Sequence, residues 1–289
     1  MKKLLIILLF TTLSFATTNV VVSIIPQKIF VEKIAGDRAT VTVMVEPGAS
    51  PHNYSPKPSL MRAVTKADLY LSIGVEFEDV WLSKFQNQNR EMLLVDSSKG
   101  VKKHHLKESE HSLKKQHKQK EESLDPHIWV DPQNVKIIVQ NIYHTFVKLD
   151  VNNSAFYKKN YEAYLKELDA LDLELKEILK TTPKGSTFMV FHPSWGYFAE
   201  RYALTQLSVE VEGKEPKPKM LINIIKRAKE EKVDAIFTQP EFSDKASQNI
   251  SRNLNIPVLK ASPLAKNWAE NLKKLARAIA HKETDKKSK

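Results

Sequence analysis

SAFYKKNYEAYLKELDALDLELKEILK, running from Ser154 to Lys180, commits the chain to a two-lobed plan more firmly than any other segment. Tyr157, Tyr161, Tyr164, Leu165, Leu168, Leu171, Leu175, Ile178 and Leu179 recur at steps of three and four, the spacing of a helix face. Neither proline nor glycine interrupts the run before Pro183 and Gly185. At 1.5 Å per residue such a helix reaches roughly 40 Å, the length of two stacked lobes. A continuous helix is also a stiff connection, unlike a Gly/Ser linker. Residues 151–182 are therefore expected to be one rigid linking helix.

On both sides of it, strand-like and helix-like segments alternate. Asn19 to Ile25 is rich in β-branched residues, Gln27 to Ile34 has helical spacing, and Ala39 to Val45 alternates apolar with polar. Ser59 to Lys66 reads as a short helix capped by Ser59, with strands at Asp68 to Ile73 and Met92 to Val95. After the linking helix the alternation restarts. Strands are expected at Thr187 to Phe191, Leu204 to Val211, Val233 to Thr238 and Pro257 to Lys260, with helices between them and a closing helix from Asn267 to His281. This predicts an α/β fold with two Rossmann-like lobes, each built on a parallel sheet, at residues 19–150 and 183–289.

Between the lobes' regular segments lies a tract of another kind. From Lys99 to Glu122 the periodicity vanishes into Lys, His, Glu, Gln and Ser, as expected of a loop without order. His104, His105, His111 and His117 fall in it and could form an auxiliary, weak metal site. Its eight lysines oppose cation binding.

Residues 1–16 combine Met1-Lys2-Lys3, an apolar run from Leu4 to Phe10 and small residues at Ser14 and Ala16, the pattern of a cleaved signal peptide. The apolar run is shorter than the roughly 20 residues that span a bilayer. Export to the periplasm is expected, and with no Cys in the chain neither a disulfide nor a cysteine-linked lipid anchor is. Stability then has to come from the core, and 289 residues with 42% hydrophobic content can fill two of medium size. The formal charge of +11 becomes +9 when Lys2 and Lys3 leave. Much of that excess is local, in the His/Lys tract and in Lys286, Lys287 and Lys289, with no interleaved aromatics to stack on bases, so nucleic acid is not an expected partner.

The chemistry concentrates in three histidines, each in a turn-like segment beside proline: His52 in Ser50-Pro51-His52, His127 in Asp125-Pro126-His127 and His192 in Phe191-His192-Pro193. Neutral imidazole is a common ligand for zinc and other divalent metals of intermediate softness. In open α/β sheets ligands sit beyond the carboxyl ends of the strands. His52 and His192 follow predicted strands, so the three histidines are expected to share one metal in a cleft between the lobes. Trp129 and Trp195 adjoin them and are expected to wall the cleft. His144 and His281, on helices, are not ligand candidates.

The segments Pro47 to Pro56, Asp125 to Pro132 and Phe191 to Phe198, with Val211 to Pro216 and Pro263-Leu264-Ala265, resemble the zinc-binding (ZnuA-like) solute-binding proteins of metal-uptake ABC transporters, in the cluster A-I, TroA-like superfamily. The resemblance runs from Asn19 to about Ile279. It implies a periplasmic protein, not an enzyme, that captures Zn²⁺ as transported cargo and delivers it to a membrane permease driven by a cytoplasmic ATPase. It also implies that His52, His127 and His192 are the metal ligands. Where the family usually has an aspartate, this chain has Ser262. Water is the first candidate for the vacant fourth position and Glu241 the second.

Three imidazoles suit Zn²⁺ better than Mn²⁺, which prefers oxygen donors, and Cu²⁺ and Ni²⁺ would bind them too. Three other readings are kept: a zinc hydrolase using three histidines and water, a manganese or other divalent-metal binder of the same fold, and an adhesin. Against the hydrolase stands the absence of a His-Glu-x-x-His helix or a nucleophile motif. A monomer is expected.

Overall fold

The β-branched run after residue 17 forms the first strand, β1 (Thr18–Val22), and buries Val20, Val21 and Val22 completely. The computed structural model describes residues 17–105, 124–210, 214–242 and 244–280. From β1 the chain enters α1 (Ile25–Ala35), then β2 (Ala39–Val43), α2 (Pro58–Val64), β3 (Leu69–Ser72), α3 (Phe77–Gln88) and β4 (Leu93–Asp96). All pairings are parallel and the order is β2-β1-β3-β4. α4 (Pro132–Leu149) follows, with Asp131 capping it by accepting the Gln133 N–H at 2.8 Å.

The linking helix is α5 (Ser154–Leu179), 26 residues entered through a 3-10 turn at Val151–Asn153. Beyond it come β5 (Thr187–Val190), α6 (Gly196–Arg201), β6 (Thr205–Ser208), α7 (Pro218–Glu230), β7 (Ile236–Thr238), α8 (Lys245–Leu254), β8 (Val258–Lys260) and α9 (Trp268–Ile279). The second sheet is again parallel, ordered β6-β5-β7-β8, so both lobes share one topology despite having no visible sequence repeat. No described helix is long and apolar enough to cross a membrane.

The two lobes do not keep separate cores. One apolar cluster runs from Val20, Tyr70 and Leu71 of the first sheet through Ile142 and Phe146 of α4 and Leu168 and Leu175 of α5. It continues without a break to Phe237, Trp268 and Leu272 in the second lobe. A smaller cluster, around Met189, Ile236 and Ile250, covers the far side of the second sheet. Two tryptophans stitch the lobes through their indole N–H groups: Trp129 donates to the Pro263 carbonyl and Trp268 to the Trp129 carbonyl, both at 2.9 Å. The Trp268 ring also meets Phe30 of α1 edge-on, with centroids 5.3 Å apart.

Two local expectations need correction, and one helix lies where the sequence predicts no element. α2 starts at Pro58, not at a Ser59 cap, because the fixed φ of proline suits the first turn and Lys57 takes the capping position without a side-chain bond. α3 was not anticipated at all; only Phe77, Glu78 and Phe85 are buried, so its apolar face is thin. The tract expected to lack order from Lys99 is tied down as far as His105. Asn141 donates to the Ser97 and Lys99 carbonyls, and His105 forms an isolated antiparallel bridge with Leu124. The signal segment 1–16, most of the His/Lys tract and the tail from 281 lie outside the described residues.

Candidate metal centre

Strand geometry places the chemistry. His52 follows β2, His192 follows β5, and Glu76, Glu210 and Glu241 follow β3, β6 and β7, so all five lie beyond carboxyl ends of strands. His52 sits in a 3-10 turn, Pro51–Asn53, and His127 immediately precedes another, Ile128–Val130. His192 is braced by Gln239, whose amide donates to the His192 carbonyl at 3.1 Å and to Ser194 Oγ at 2.9 Å.

The fold brings the three histidines together. One ring nitrogen from each lies within 4.8 Å of the other two, and the ring centroids of His52 and His192 are 4.5 Å apart. His127 and His192 are buried and His52 half-buried. Each Nδ1 contacts a carboxylate: His52 with Glu76 at 2.6 Å, His127 with Asp125 at 2.8 Å, and His192 with Glu210 at 2.8 Å. A carboxylate acceptor assigns the ring proton to Nδ1 and leaves the Nε2 lone pair bare. Nε2 of His52 and Nε2 of His192 then stand 2.8 Å apart. Two lone pairs at that distance repel, and only a proton or a shared cation between them makes the contact favourable.

The electrostatics separate the rings. Burial pulls His192 down to about 4; its bond to Glu210 opposes this, and the neighbouring His127 and His52 add to it. Burial acts in the same direction on His52, but the hydrogen bond and charge of Glu76 outweigh it, with help from Glu210 and Asp125, and its pKa is raised. Glu76 shows the matching effect: burial raises it, and His52 brings it below the usual carboxylate range.

The turn carrying Glu76 is itself anchored. Buried Glu78 accepts the Ile73 N–H at 3.0 Å and the Gly74 N–H at 2.8 Å. Gly74 has φ +89°, a conformation that side chains with a Cβ rarely adopt. Burial pushes Glu78 up to about 7, against the pull of Ser23 and these two amides.

The histidines line a cavity of about 20 Å³ together with Trp129, Glu241, Phe242 and Leu264. That is room for one water-sized body. Phe242 stacks on His192 with centroids 4.8 Å apart. A larger cavity, about 270 Å³, lies at the amino ends of β5 and β7 and contains none of the three rings. Glu241 belongs to the small cavity but not to the cluster of three nitrogens. Ser262 donates to Glu241 Oε1 at 3.1 Å.

Other sequence-level candidates go elsewhere. His104 stacks on Tyr197, centroids 3.9 Å apart, with Nε2 3.3 Å from Glu200, and His105 pairs with Leu124; neither joins the three. His111 and His117 lie outside the described residues. Trp129 does wall the cavity, whereas Trp195 is buried against Phe198 and does not line it. His144 is exposed beside Tyr143.

Sequence reasoning passed over Glu76, Asp125 and Glu210. Only Asp125 had a local signal. An Asp two residues before its partner forms an Asx turn, and here one carboxylate oxygen accepts both the backbone N–H and Nδ1–H of His127.

The family profile described as zinc-uptake complex component A, periplasmic, matches residues 20–282. The chain belongs to the ZnuA family. A crystal structure of ZnuA is 39% identical and superposes with a TM-score of 0.83 over 92% of this chain and 98% of that one. The laminin-binding protein Lmb of Streptococcus agalactiae, described as bifunctional with adhesin and metal-transporting activity, is 25% identical. It covers 90% of this chain and 98% of its own, with a TM-score of 0.77. The manganese ABC transporter substrate-binding lipoprotein scaA of Streptococcus gordonii is 28% identical over 260 residues, covering 85% of this chain and 78% of that protein. ZnuA relatives thus include proteins named for zinc and for manganese.

Proposed function

We propose that this substrate-binding protein of a metal ABC transporter carries zinc, held on Nε2 of His52, His127 and His192. It works with a membrane permease and its ATPase, and the metal is cargo. The observation that carries the zinc reading is the donor set. All three Nδ1 atoms are occupied by carboxylates, so three nitrogen lone pairs converge on one small cavity. Zn²⁺ takes nitrogen donors at about 2.0–2.1 Å in tetrahedral sites, while Mn²⁺ favours oxygen. A cavity of about 20 Å³ supports carriage over hydrolysis, having no room for an organic substrate beside an ion. Residues 1–16 are read as a removed export signal. Several relatives, scaA of Streptococcus gordonii among them, are named lipoproteins.

Calorimetric titration of the metal-free protein and its His192→Ala variant tests this. Zinc is expected to bind at about one equivalent, at least tenfold more tightly than Mn²⁺, with the tight site lost in the variant. Tighter manganese binding would overturn the zinc assignment and leave the metal-carrier reading standing. Equal zinc binding by the variant would remove the three-histidine site.

A further inference from the structure

We infer that Glu241 is the fourth donor to the cargo metal and that Ser262 is the residue holding it in place. The inference rests on the three-histidine reading above. Among the described residues lining the small cavity, Glu241 is the one carboxylate. Its two oxygens differ. Oε1 accepts the Ser262 hydroxyl at 3.1 Å, whereas Oε2 is buried and has no hydrogen-bond partner among the described residues. Leaving a buried carboxylate oxygen without a partner is unfavourable, and a bound cation removes that penalty.

Ser262 is not free to be the ligand itself. Its hydroxyl donates to Glu241 and accepts the Leu264 N–H at 3.1 Å, and its carbonyl accepts from Asn271 at 2.9 Å. It therefore serves as a fixed post against which the Glu241 carboxylate pivots. Glu76, Asp125 and Glu210 are engaged at Nδ1, on the side of each ring away from Nε2, and although Glu76 Oε2 is also buried without a partner among the described residues, none of the three lines the cavity. Three neutral imidazoles bring no charge to a dication. Glu241 supplies one negative charge in direct contact, reached by turning Oε2 inward while Oε1 keeps its bond to Ser262.

The test uses the full mature chain with zinc and with Co²⁺ as a spectroscopic probe, comparing wild type, Glu241→Gln, Ser262→Ala and His192→Ala. Circular dichroism of the metal-free Glu241→Gln protein is expected to match wild type, since Oε2 has no partner to lose among the described residues. Its zinc affinity is expected to fall at least tenfold, and the visible Co²⁺ spectrum to shift as water replaces a carboxylate. Ser262→Ala, a positioning change, is expected to weaken zinc about 10-fold with a smaller spectral shift. If either the affinity or the Co²⁺ spectrum of Glu241→Gln stays at the wild-type value while His192→Ala loses zinc, water is the fourth ligand and the inference falls alone. If His192→Ala also keeps zinc, the three-histidine reading falls with it.

Discussion

His52 and His192 sit side by side, yet their protons respond in opposite ways. His52 has a pKa raised above 6.5 by Glu76, so the metal-free fold is stabilised by its proton at low pH and loses that contribution as pH rises through the folded value. His192, held near 4 by burial, does the reverse: between 6.5 and 4 the unfolded chain binds a proton that the fold refuses, and stability drops as pH falls. Metal has to displace the His52 proton. Zinc affinity is therefore expected to begin falling as pH drops through the raised His52 value, by about tenfold per pH unit for one displaced proton. Glu76→Gln is expected to weaken zinc about 10-fold at pH 8, since the outer partner of Nδ1 is lost, and to move the onset of the fall to lower pH. A titration series in which the onset stays put or moves upward in the variant would show that Glu76 does not set the His52 proton.

Among the elements, the 3-10 turn after His127 ties the histidine cluster to the lobe contact. Trp129, two residues beyond His127, gives its indole N–H to Pro263 and takes that of Trp268 from the start of α9 on its own carbonyl. Trp268→Phe keeps most of the ring but leaves that buried carbonyl without its donor. It is expected to lower unfolding free energy by about 1–3 kcal/mol in urea titration, with weaker zinc binding alongside. A variant as stable as wild type would mean the stitch contributes nothing. The elements also show what was legible in advance. α5 and the three histidine turns could be read because their signals are local, in helical spacing and in Pro-His or His-Pro steps. The partnerships of His52 with Glu76 and His192 with Glu210 span 24 and 18 residues and exist only once the loops beyond the strands converge. α3 escaped notice because its burial is supplied by neighbours, with Phe77 and Phe85 the only buried apolar residues in twelve.

For the whole molecule, the shared apolar cluster matters more than the two-sheet outline. Because Leu168, Leu175, Trp268 and Phe237 belong to the same packed cluster as Val20 and Tyr70, neither lobe can melt without exposing the other's core. Scanning calorimetry of the metal-free protein is expected to show one cooperative transition. Zinc at 1,000 times its dissociation constant is expected to add about 4 kcal/mol and move that whole transition upward. Two resolved transitions, only one of them shifted by zinc, would refute the coupling of the lobes.

The bridge between His105 and Leu124 closes the ends of the His/Lys tract against each other, one residue before Asp125. Chain closure depends only weakly on contour length: doubling such a segment costs about 0.6 kcal/mol. Its entry and exit points are therefore neighbours, set beside the Asp125–His127 pair, and a fluorescent domain with adjacent termini spliced there would sit next to the histidine cluster, where ion capture can be read as an optical signal.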